Sequence, residues 1–150
     1  MTNWNSSSDS LWQNEVIRKL TNRLMYSGKK SVAEKLVFQA MSQIQGRTSK
    51  NALEVTLDAI EMIKPYVEVR SIRVAGATYA VPVEIREERR LSLALRWLVE
   101  NSRKRKEREM SQKLAGEILD TYLKTSGSLK KKEELHKMAE SNRAFSHYRW

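Results

Sequence analysis

The side chains best able to do chemistry in this chain are cations, and their spacing suits a polyanion. Arg89, Arg96 and Arg103 are seven residues apart. On a helix they drift by only about 20° per step and form one stripe. Leu91, Ala94, Leu95 and Leu98 lie on the opposite, core-facing side, with Leu93 and Trp97 near the stripe; a solvated helix face is the plainer alternative. Lys29 and Lys30 follow Gly28 in a tight turn, which fits a phosphate contact or a solvated loop equally well. Lys130, Lys131 and Lys132 fall in the expected first turn of a helix, where cations oppose the helix dipole at roughly 0.3–1 kcal/mol each. A phosphate at that helix start would relieve the conflict, as would solvent together with Glu133 and Glu134. Arg70 and Arg73 track a backbone groove or guard a strand edge. The tail RAFSHYRW mixes Arg143, His147 and Arg149 with Phe145, Tyr148 and Trp150, and aromatics of this kind stack on unpaired bases. Burial against the body is the alternative for Phe145 and Tyr148, and the preferred one for Phe145.

Catalytic and metal chemistry find little support. Glu87–Glu88 and Glu133–Glu134 are sequence neighbours, which places each pair on different helix faces rather than in a converging dyad. The GKKS run at 28–31 lacks the upstream glycine of a phosphate loop. There is no cysteine, so thiolate metal sites and disulfides are excluded, and His136 and His147 are too few for zinc without thiolates. No catalytic residue, metal or cofactor is expected.

These cations need elements to hold them. A capping-box pattern at Ser10 and Gln13 starts a first helix. Its apolar face is Leu11, Trp12, Val16, Ile17, Leu20 and Leu24, and Gly28 stops it. Ser31 and Glu34 repeat the cap before a second helix to about Gly46, with Val32, Leu36, Val37, Ala40, Met41 and Ile44 as its stripe. Asn51 and Glu54 open a third, which buries Leu53, Leu57, Ile60 and Ile63 and ends at Pro65. The period then changes to strand alternation. Val67, Val69, Ile72 and Val74 show a phase slip near Ser71 that suits a bulge. AGAT is the turn, and Tyr79, Val81, Val83 and Ile85 alternate on the return strand, where Pro82 demands a free edge. A fourth helix is expected over about 86–106. A fifth carries Met110, Leu114, Ile118 and Tyr122. SGS at 126–128 breaks the chain before a sixth over about 129–145. The expectation is a mainly α fold: about six helices and a two-stranded β-hairpin between the third and fourth. A lone hairpin is marginal in water, so it should project from the body and gain order from a partner.

Charge distribution agrees. The 150 residues carry a net charge of +10, and no Lys or Arg precedes Arg18. From 67 to 108 there are eleven Lys and Arg against six Glu and no Asp. Interspersed acids argue for a folded basic protein over a disordered basic tail. The length suits one domain, expected over 10–150 with a disordered polar arm at 1–9 and the hairpin at about 67–85. No apolar run approaches the roughly 18–20 residues that cross a bilayer, and the start lacks the charged and apolar regions of a signal peptide.

Three stretches carry a family resemblance. LMYSGKKSVAEKLVFQA (24–40), IKPYVEVRSIRVAGATYAVPVEI with RRLSLALRWLVENSRKR (63–105), and LKKKEELHKMAESNRAFSHYRW (129–150) resemble the family of small-subunit ribosomal protein seven, bacterial type. The likeness spans roughly residues 15–150 and is loosest at 45–60 and 107–127. It implies a helical bundle with a protruding hairpin and no enzymatic activity. It implies binding to the 3′ major domain of small-subunit ribosomal RNA, nucleation of head assembly, and a place near the tRNA exit site. By this resemblance the ribosomal RNA contacts are Lys29, Lys30, Arg70, Arg73, Arg89, Arg90, Arg96, Arg103, Lys104, Arg105, Lys130, Lys131, Lys132, Arg143 and Arg149. The hairpin residues Val74, Ala75, Gly76, Ala77, Thr78 and Tyr79 would lie near exit-site tRNA and mRNA. Small-subunit proteins nine and eleven are implied as neighbours.

The start departs from the family. Bacterial and plastid members usually open with an Arg-rich arm, whereas MTNWNSSSDSLWQ has no cation. Loss of the arm resembles a mitochondrial member made inside the organelle, which is preferred here over a bacterial or plastid one. The competing function from the residues alone is a helical DNA-binding regulator with a wing-like hairpin.

Overall fold

Eight regular elements follow from local chemistry in the computed structural model, which describes residues 11–144. They are α1 (Glu15–Leu24), α2 (Lys30–Arg47), α3 (Ala52–Ile63), β1 (Val67–Val74), β2 (Ala77–Glu84), α4 (Glu87–Arg103), α5 (Met110–Tyr122) and α6 (Gly127–Ser141). The arm at 1–9, the cap at Ser10, and Phe145, His147, Tyr148, Arg149 and Trp150 lie outside the described residues. Residues 11–13 form a separate helical turn. Asn14 splits this turn from α1: its backbone is extended, and its Oδ1 accepts from the Val16 and Ile17 N–H groups at 2.9 and 3.3 Å. Counting that turn, the hairpin follows the fourth helical segment, not the third.

The apolar stripes meet in one core. Ile17, Leu20, Met41, Ile44, Ile60, Ile63, Leu98, Leu114 and Ile118 are fully buried, each contributing about 1.5–3 kcal/mol. Helix α5 lies at the centre, packed on α2, α3 and α4. Val32 is 59% exposed while its neighbour Ala33 is buried, so the stripe of α2 runs one residue later at its start than the apolar spacing implied. That helix begins at Lys30, with Lys29 at the cap position and no side-chain cap bond. Leu93 is buried too, contrary to its expected place beside the arginine stripe; Leu93, Val81 and Ala139 are buried outside the main core.

The hairpin register is continuous, from Val67 opposite Glu84 to Val74 opposite Ala77, with no bulge at Ser71. The turn is only Ala75–Gly76, both at positive φ (51° and 83°). Two consecutive left-handed residues twist the way paired strands do, which is why such turns close hairpins. Because the register never slips, Arg70 and Arg73 sit on opposite faces. The root of the hairpin packs on α6.

At the other end, α4 stops at Arg103, three residues earlier than expected. The chain turns and Arg105 folds back against α5. Its guanidinium reaches Glu107 (2.8 Å), Glu117 (3.2 Å) and Asp120 (2.7 Å). The Glu117 side chain is only 3% exposed, and its other oxygen accepts from the N–H (3.3 Å) and the hydroxyl (2.9 Å) of Ser128. The expected SGS break is therefore a helix start. Ser126 caps α6 by accepting from the Leu129 N–H, and takes a hydrogen bond from Thr121. The break lies earlier, at Lys124 (φ 63°).

Two glycines in helices test this arrangement with opposite signs. A Cβ on Gly116 would lie 2.7 Å from Arg105 Nη2, whereas one on Gly46 would meet nothing within 4 Å. Gly46→Ala should raise stability by up to about 1 kcal/mol, while Gly116→Ala should lower it despite the same gain in helix propensity. Urea unfolding midpoints of the two variants check the difference.

Candidate nucleic-acid interface

The expected site cations divide by what else they bond. Lys29, Lys30, Arg70, Arg73, Lys104 and Lys130 are exposed and make no ion pair among the described residues. Arg103 is half-buried and also lacks a carboxylate partner; its guanidinium lies over the Tyr26 ring, 4.5 Å from the centroid. Four more make surface pairs: Arg89 with Glu68 (3.5 Å), Arg96 with Glu100 (3.1 Å), Lys131 with Glu100 (3.4 Å) and Arg143 with Glu140 (3.4 Å). Such pairs contribute about 0–1 kcal/mol and can be exchanged for phosphate at little cost.

Arg90, Arg105 and Lys132 direct their donors inward. Arg90 donates to the Pro65 carbonyl (2.9 Å) and to Glu87 (2.7 Å). Arg105 is saturated by its three carboxylates. Hydrogen bonds that it donates to Glu107 first, then to Asp120 and Glu117, raise its pKa above the usual arginine value. Lys132 donates to the Met62 carbonyl at 2.8 Å; burial, and then the charge on Arg90, push its ammonium below the ordinary lysine value.

The three lysines of α6 are not in its first turn. The helix begins at Gly127, so they start one turn in, past the steepest part of the dipole field. The helix start is already filled by the Glu117 carboxylate, which takes the place proposed for a phosphate.

Three troughs join the cations across elements. At the hairpin root Arg70, Arg86 and Arg89 line one cleft with Glu68 and Glu84. Between α1 and α4, Lys19 and Arg23 line a second with Glu88 and Ser92, and Arg23 donates to the Ser92 hydroxyl at 3.0 Å. Lys29 and Arg103 rim a third. Glu100, its carboxyl held below the usual value by Arg96 first and then Lys131, ties Lys131 of α6 to the α4 stripe. Arg73 stays apart from all of these, near the tip with Ala75, Gly76, Ala77 and Thr78, which are exposed; Val74 and Tyr79 are half-buried. Lys19, Arg23, Arg86 and Tyr26 were not singled out from sequence. The i,i+4 spacing of Lys19 and Arg23 opposite the apolar stripe was the signal for the first two.

The root itself is a packed cluster. Lys64 bridges Glu61 (2.8 Å) and Glu87 (2.6 Å), and the Lys64 hydrogen bond chiefly holds the Glu87 carboxyl below its usual value. Tyr66 lies under Arg90 and Lys132, and its backbone N–H donates to His136 Nε2 at 3.2 Å. That acceptor requires a neutral imidazole. Burial first, and then Lys132, lower the His136 pKa below its ordinary 6.5.

Comparison with known proteins adds an independent finding. A family model described as ribosomal protein S7p/S5e matches residues 2–143. Among curated proteins, the small ribosomal subunit protein uS7 of Thermodesulfovibrio yellowstonii is 54% identical over 142 residues, covering 95% of this chain and 91% of the relative. Those of Pelagibacter ubique and Thermotoga maritima are each 51% identical over 142 residues, covering 95% of this chain and 91% and 92% of the relatives.

Two measurements test the sorting. Arg105→Gln should lower unfolding free energy by about 1–3 kcal/mol, because it strands the buried Glu117, while Arg103→Gln should change it by under about 0.5 kcal/mol. For His136, the unfolded chain binds more protons between the lowered folded pKa and 6.5, so stability falls as pH drops through that window. His136→Gln keeps an acceptor without the titration; the loss between about pH 7.5 and about pH 5.5 should be smaller in that variant than in the wild type.

Proposed function

The chain belongs to the ribosomal protein S7p/S5e family, and on that premise we propose how it works as a structural constituent of the small ribosomal subunit: it neutralises and shapes folded ribosomal RNA without turnover. The observation that carries the mechanism is the band of unpaired or weakly paired cations running from Arg70 and Arg86 at the hairpin root, along Arg89, Arg96 and Arg103, to Lys29 and Lys30. Its cations are carried by β1, by α4 and its N-cap residue, and by the start of α2, so the band has a fixed shape. A fixed pattern of charges selects a folded RNA backbone by geometry, since phosphate contacts position without reading sequence. Arg90, Arg105 and Lys132 support the band from within, and their contribution to RNA binding is indirect. The DNA-binding alternative finds no support in the family assignment.

The finer reading follows from the family resemblance. The RNA is the 3′ major domain, and the protein nucleates assembly of the subunit head. The exposed tip at residues 75–78 approaches exit-site tRNA and mRNA. Small-subunit proteins nine and eleven are neighbours. The relatives described above are bacterial, which supports a bacterial ribosome over the organelle-made one expected from the cation-free start.

Binding of the full chain to a small-subunit RNA fragment should be strongly salt-dependent. Six to ten phosphate contacts lower affinity by about 10³–10⁵-fold between about 50 and about 200 mM salt. Changing Arg89, Arg96 and Arg103 together to Gln should weaken binding and reduce the slope of log K against log salt by up to about three, with the far-UV circular dichroism unchanged. A slope near zero in the wild type would refute the electrostatic reading.

A further inference from the structure

Beyond phosphate contacts, we propose that the cleft between the α1–α2 turn and the start of α5 receives one unpaired nucleobase of the RNA, stacked on Tyr26; this rests on the RNA-binding reading above. The cleft has a volume of about 320 Å³, at the lower end of the range of small-molecule sites, roughly 300–1,000 Å³. Tyr26, Val32, Leu36 and Met110 line it, with Lys29 and Arg103 at the rim and, among the described residues, no carboxylate in the lining. Tyr26 is 64% exposed and Val32 59%.

Each part has a counterpart in a nucleotide. The Arg103 guanidinium lies over the exposed Tyr26 ring and both line the cleft, so an entering base meets an aromatic ring with a guanidinium plane beside it. Base–aromatic stacking accepts any base, because every base has a π face. The apolar side chains suit the edge of a ring pushed out of a helix. Lys29, unpaired among the described residues, suits the phosphate attached to it. An acidic peptide would satisfy the rim but leave the ring face unused. The turn holds Tyr26 in place: the Lys29 N–H donates to the Tyr26 carbonyl at 3.0 Å, and Ser27 and Gly28 both adopt positive φ.

The test uses the full chain, with single-stranded oligoadenylate and a small-subunit RNA fragment as probes and methyl NMR as readout. Oligoadenylate should move the Val32, Leu36 and Met110 methyl resonances by ring-current shifts. Tyr26→Ala should weaken binding of both probes by about 5- to 100-fold with the salt slope unchanged, because no cation is lost, and Tyr26→Phe should bind like the wild type. Tyr26 is exposed, so neither substitution opens the core, and circular dichroism checks that the fold is kept. If Tyr26→Ala binds as tightly as the wild type while the triple arginine variant is weakened, the stacking site is refuted and the RNA-binding reading stands. If the wild type binds neither probe, both fall. If an acidic peptide moves the methyl resonances and oligoadenylate does not, the cleft is a protein-docking surface and the proposal is overturned.

Discussion

A nearly buried carboxylate, Glu117, holds the arrangement on which the rest depends. One of its oxygens faces Arg105 and the other faces Ser128. Through these bonds a single side chain on the central helix fixes where α4 ends and where α6 begins. An unpaired buried charge is costly, so the chain following α4 must fold back to bring Arg105 in. Helix α6 must start where its Ser128 N–H can be accepted. That placement in turn positions the α6 surface on which the hairpin root rests. The cation band is thus downstream of an ion pair that takes no part in it.

The same logic separates cations that a composition count treats alike. Arg103, Lys104 and Arg105 are consecutive, yet one lies over a tyrosine, one is solvated and one is locked by three carboxylates. Net charge governs long-range attraction to a polyanion; local pairing decides which charges remain available at contact. A carboxylate such as Glu100, shared by Arg96 and Lys131, holds cations from two helices close to each other.

Much of this was legible in the sequence. The apolar spacing located helices α1 to α5, although the buried face of α2 starts at Ala33 and Leu93 of α4 is buried too, and Asn51 caps α3 as its side chain allows. What was not legible depended on tertiary partners. The Ser126–Ser128 run resembles a linker until Glu117 and Thr121 are present to bond it. The apparent slip at Ser71 came from reading apolar residues as the marker of register; in an exposed two-stranded hairpin with little core, polar residues occupy both faces and the marker fails. Cation positions could be read directly, but the inward role of Arg90, Arg105 and Lys132 required knowing which carboxylates and carbonyls surround them.

The hairpin is held at one end. Val81 is buried, the Ile85 N–H meets the Tyr66 carbonyl at 3.3 Å, and Tyr66 bonds His136, whereas the tip at Ala75–Gly76 is in solvent. Five residues separate Val81 from Gly76, about 16 Å of strand at about 3.3 Å per residue. A tilt of about 10° at the root therefore carries the tip by about 3 Å, on this same rise per residue. The hairpin acts as a lever with its fulcrum on α6, and a sub-ångström change in packing there is magnified at the end that faces outward.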